Sequence, residues 1–104
     1  MINGTYQIEM KSPMGKKHGR LTLQEIESSL SGNIDILGHA NEIHGDILSD
    51  GSCQFSGVFI TRMRHISFRA EGCVDEFRAE FLIYTDDYTM PLFGEIDNTK
   101  IKGG

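Results

Sequence analysis

The sequence predicts an all-β protein, an eight-stranded antiparallel up-and-down barrel. Three observations predict it. A five-residue unit, apolar–any–small–any–apolar, runs through the chain. It appears as Leu30-Ser31-Gly32-Asn33-Ile34, Ile43-His44-Gly45-Asp46-Ile47, Phe55-Ser56-Gly57-Val58-Phe59, Phe68-Arg69-Ala70-Glu71-Gly72, Phe77-Arg78-Ala79-Glu80-Phe81 and Leu92-Phe93-Gly94-Glu95-Ile96. Period two is the strand period, so each copy is a strand with one apolar face and a small residue in mid-face. Second, 12 glycines beside 2 prolines suit many short strands and tight turns better than helices. Third, the connections are short, which implies antiparallel neighbours, and an even strand count lets the last strand pair with the first. Closing the sheet removes both open edges. A half-open barrel or sandwich of the same strands is the alternative.

The alternation places strands at 4–11, 18–24, 29–36, 42–48, 52–61, 64–73, 76–84 and 89–96, in one domain spanning 1–104 with a C-terminal tail at 97–104. Before the second strand, Ser12-Pro13-Met14-Gly15 has the proline and glycine positions of a type I turn. The spacing of Leu23, Ile26 and Leu30 also fits a helix, and Asp75 to Ile83 is rich in helix formers; strand-like flanks favour β for both. Ser49-Asp50-Gly51 suits a three-residue loop with Gly51 left-handed, which sets Gly45 opposite Phe55. Phe59 is expected opposite Ile66. In the sixth and seventh strands, Ala70 opposite Ala79 puts Phe68 on Phe81 and pairs Arg69 with Glu80 and Glu71 with Arg78 outside. The last hairpin pairs Ile83 with Met90 and Leu82 with Pro91.

Gly4-Thr5-Tyr6, the Ser12-Pro13-Met14-Gly15 turn and the Leu92-Phe93-Gly94 strand resemble an uncharacterised family of small β-barrels. That family carries Gly-x-Trp, then Thr-Pro-Met-Gly, then repeated small-residue strands, and is itself lipocalin- and avidin-like. The resemblance implies a ligand-binding barrel. Tyr6 stands where the family has Trp, and Glu95 stands where a lipocalin-like chain has Arg. The architecture is also similar to the lipocalin-like negative regulators of type III secretion, which implies a regulatory protein partner.

The alternation sends an apolar set inward, among it Tyr6, Ile8, Phe55, Phe59, Phe68, Phe77, Phe81 and Met90, and no charged residue. Only the Tyr6 hydroxyl and Cys53 thiol are expected to orient anything there. General acid–base chemistry needs a positioned His, Asp or Glu, so no catalytic residue and no enzyme activity are expected. The lumen is therefore either a packed core or a small apolar pocket lined by Tyr6, Ile8, Phe55, Phe59, Phe68, Phe81 and Met90. The expected function is a non-enzymatic, apolar small-ligand-binding or accessory module. The alternative is a regulatory protein–protein interaction module with a packed lumen.

Outside, Glu42, His44 and Asp46 share one strand face, but nothing opposite completes a metal site. No metal or cofactor is expected. Cys53 faces in and Cys73 out, so both are expected as free thiols. The net charge of −5 argues against nucleic acid, and Lys11, Lys16 and Lys17 read as one solvated hairpin tip. No apolar run is long enough to span a bilayer and no leader pattern opens the chain, so no membrane partner and a cytoplasmic location are expected. Leu82, Tyr84, Pro91 and Phe93 make an outward apolar patch, for which the expected cover is a second copy in a homodimer.

Overall fold

The computed structural model describes residues 2–97. Eight strands run β1 (Asn3–Ser12), β2 (Gly15–Ile26), β3 (Ser29–Ile36), β4 (His39–Ile47), β5 (Cys53–Ile60), β6 (His65–Val74), β7 (Arg78–Tyr84) and β8 (Thr89–Ile96). Each pairs antiparallel with the next, and β8 returns to β1 through Tyr6↔Ile96 to Met10↔Leu92, closing the barrel. Neither stretch with a possible helical reading is helical: the first runs from β2 through the Glu27–Ser28 turn into β3, and the second is a loop at residues 75–77 followed by β7. Residues 98–104, most of the expected tail, lie outside the described residues.

Turn chemistry decides where strands begin and end. β2 is longer at both ends than the alternation suggested, because the flanking turns hold only two residues each. Glu27 and Ser28 turn the chain with φ of 50° and 71°, the left-handed pair that a two-residue hairpin needs to match strand twist. At Ser12–Gly15 the Ser12 hydroxyl accepts from the Met14 amide (3.2 Å) and donates to the Gly15 carbonyl (2.7 Å). Gly51 takes φ 88° as expected, and Asp50 closes that loop by accepting from the Ser52 amide and hydroxyl. Those bonds hold the Asp50 carboxyl below its ordinary range.

Three expected registers are found: Gly45↔Phe55, Phe59↔Ile66, and Ile83↔Met90 with Leu82↔Pro91. One is not. In β6–β7, Gly72 faces Phe81 and Ala70 faces Ile83, four residues away from the expected register. The cause is Asp75. Its carboxylate accepts from the amides of Phe77 (2.7 Å) and Arg78 (2.9 Å), and the closed loop delays β7 until Arg78. Phe77 is thereby stranded in the loop and 66% exposed instead of facing inward. The cross-strand pairs Arg69–Glu80 and Glu71–Arg78 do not form. Arg69 instead meets Glu71 on its own strand (2.9 Å) and lies over the Tyr84 ring at 4.9 Å.

Glycine at inward positions lets the strands bend around the core. A Cβ on Gly45 would lie 1.8 Å from the Gln54 carbonyl oxygen, so the approach of β5 to β4 requires a residue without one. The β4–β5 ladder runs from Ile43↔Gly57 to Ile47↔Cys53. Beyond it the seam is held by a side chain: Asn41 Oδ1 accepts from the Ile60 amide at 3.3 Å. Cys53 is buried, Cys73 is exposed, and both are free.

Candidate functional site

The candidate site is the lumen, and alternation builds it: side chains two apart on each strand point to one face. Tyr6, Ile8, Phe55, Phe59, Phe68, Phe81 and Met90 are all brought there, each no more than 7% exposed. The phenyl rings meet directly. Phe59 and Phe68 stack with centroids 4.1 Å apart, and Phe55 meets Phe81 edge-on at 4.9 Å and Phe68 at 6.2 Å. Leu21, Leu23, Ile34, Ile43, Ile83 and Leu92 are fully buried around them. A Cβ on Gly57 would lie 3.1 Å from the Phe68 ring and 2.8 Å from the Glu42 carbonyl oxygen, so the space in front of this glycine is occupied.

Tyr6 closes one end. Its hydroxyl donates to the Asp75 carbonyl at 2.6 Å, tying β1 to the β6–β7 loop. Burial, then the Asp75 carboxylate, raises its pKa, which keeps it a neutral donor. Burial likewise raises the Cys53 thiol, so it is not an activated nucleophile. The Asp75 carboxyl is held low by the Phe77 and Arg78 amides. Its support of the loop is present above the unfolded carboxylate range and is lost as pH falls through the lowered folded value. Tyr6→Phe is expected to cost about 1 kcal/mol in urea unfolding, the net worth of one hydrogen bond. A variant as stable as wild type would show that the tie contributes nothing.

Two buried polar residues escaped the sequence reading. Asn41 (4% exposed) donates its amide to the carbonyls of His39 (3.2 Å) and Ile34 (3.4 Å). Its signal is parity, since it shares a face with Ile43; β4 begins at His39, ahead of the expected start at 42, and so includes it. Asp97 (6% exposed) follows the inward-facing Ile96 and is a buried charge outside the inward set: its Oδ2 lies 3.7 Å from Arg20 Nε and its amide donates to the Thr5 carbonyl.

On the wall, Leu82 and Phe93 are 42% and 46% exposed, Pro91 is half-buried, and Tyr84 is half-buried beneath Arg69. Phe93 pairs with Glu9 on one side and Glu80 on the other, and Lys11 Nζ sits 5.8 Å from its ring centroid. Glu42 and His44 are exposed and 3.8 Å apart. Among the described residues no three His, Cys, Asp or Glu side chains gather as metal ligands. A groove of about 460 Å³ lies on the outer surface of β1–β3, between Gln7, His18, Arg20 and Asp35. Among the described residues no helix is long and apolar enough to cross a membrane.

No family model matches the chain, and no curated protein matches it. Among solved structures it is similar to a redesigned β-barrel, mFAP1, bound to DFHBI. The TM-score is 0.61 at 16% identity, over 91% of this chain and 93% of that one. At that identity the likeness is one of fold.

Proposed function

We propose that the protein is a non-enzymatic interaction module whose lumen is its core and whose partners meet its outer surface. The observation behind this reading is the buried lumen: all seven expected ligand-lining side chains belong to one buried core cluster, in which the four Phe rings meet one another. Such a barrel acts as a rigid display for wall and loop residues, in keeping with a regulatory protein partner. The two free cysteines suit a reducing cytoplasm. A second reading, an apolar ligand inside the barrel, has one support, which is that a redesigned barrel of this fold binds DFHBI. An environment-sensitive apolar dye and native mass spectrometry of freshly purified protein separate the two. No dye uptake and no retained small molecule are expected. Uptake abolished by Gly57→Leu would return the function to the lumen.

The homodimer through Leu82, Tyr84, Pro91 and Phe93 remains part of this proposal. Phe93→Lys suits its place between Glu9 and Glu80, and its effect on stability is expected to stay within about 0.5 kcal/mol. Light scattering is expected to give half the wild-type mass. Wild type that is already monomeric at high concentration would end the dimer.

A further inference from the structure

In an up-and-down barrel every odd-numbered turn lies at one end. That gathers Pro13-Met14, Leu37-Gly38, residues 61–64 and residues 85–88. Three of these turns share a construction. Ser12, Thr61 and Thr85 each accept from backbone amides of their own turn and donate to a carbonyl, so the hydroxyl pins the backbone. Each pinned turn then presents an apolar side chain to solvent: Met14 at 87%, Met63 at 90% and Tyr88 at 50%. Lys16 and Lys17 flank the first, and Arg62 and Arg64 bracket the second. Asp86, Asp87 and Glu9 are opposing charges there; Asp87 is held by Arg64 at 3.8 Å and Glu9 lies 3.9 Å from Lys16. The opposite end closes its loops with Asp50 and Asp75 and adds Glu27 and Glu76.

We infer that the Met14–Met63–Tyr88 end docks on an anionic lipid surface, with Lys16, Lys17 and Arg62 at the headgroups. Charge complementarity names the occupant. Apolar side chains on three separate turns fit a fluid bilayer better than the single contiguous patch of a protein interface. The overall charge of −5 does not forbid it. The ends lie roughly 20 Å apart along tilted strands, beyond the ~8 Å Debye length, so a surface at one end does not feel the acidic other. This docking concerns only the loop end and holds whether or not the lumen takes a ligand.

The test is cosedimentation of the full chain with phosphatidylcholine vesicles, with and without phosphatidylserine. Binding is expected only with phosphatidylserine and is lost at high salt. Arg62→Gln is expected to weaken it about fivefold, the share of one interfacial cation, and Met63→Asp by more. Phe77→Asp, at the opposite end, is expected to bind as wild type does. All three residues are exposed, and unchanged melting of the variants confirms that folding is intact. Absence of binding to anionic vesicles would overturn the inference, as would equal binding to neutral ones or loss of binding in Phe77→Asp. Vesicle-free self-association abolished by Met63→Asp would overturn it too, by assigning this end to a second copy.

Discussion

Gly45→Ala is expected to destabilise the barrel by about 3 kcal/mol or more, the upper end of overpacking costs. The added methyl would meet the Gln54 carbonyl oxygen at 1.8 Å and the Phe55 Cα at 2.6 Å. Both are backbone atoms, so no rotamer change can relieve the contact. Gly45 also pairs with Leu30 on its other side, so β4 cannot retreat without straining β3. Gly4→Ala is the control: its methyl would first meet the tip of the Ile96 side chain at 3.0 Å, which can move. Urea midpoints are expected to differ widely between the two variants. Similar midpoints would mean that the close approach of β4 and β5 is not obligatory.

The second large effect is expected at Phe59, 1% exposed and stacked on Phe68. Phe59→Ala removes that ring and is expected to cost about 3–5 kcal/mol, most of the margin of many small domains. Phe68→Ala should cost a similar amount, and the double variant less than the sum, because each ring is half of the other's contact. A folded Phe59→Ala protein is also expected to take up an apolar dye that wild type refuses, since the lost ring leaves an apolar void. Dye uptake by wild type equal to that of the variant would show that the lumen was never full.

Much of this was legible in the sequence, for a reason visible at particular residues. Gly45 opposite Phe55 and Ile83 opposite Met90 follow from alternation plus a short loop, which together leave one arrangement with every apolar residue inside. The same logic failed at β6–β7. Phe-Arg-Ala-Glu occurs at 68–71 and again at 77–80, and registers four apart keep the same faces inward. A period of two cannot choose between them. The choice fell to the Asp75 carboxylate, a local hydrogen-bonding preference that outweighed two surface ion pairs worth only a few tenths of a kcal/mol each. Composition also concealed the separation of charge between the two ends. A single net value averages over residues such as Arg62 and Glu76, which the hairpin order sends to opposite ends.

The Asn41 link across β4 and β5 bears on how the wall breathes. Around most of the circumference, parting two strands means breaking a run of ladder bonds together. The Ile8 amide lies in mid-ladder, with Gly19 on one flank and Gly94 on the other, so it should exchange its proton with solvent only when the whole domain opens. Where the β4–β5 ladder has ended, one 3.3 Å bond from the Ile60 amide to a side-chain oxygen does the same work. That amide should exchange through brief local opening, far faster than the Ile8 amide. A closed barrel has no edge strand, yet it still has a side on which it yields first.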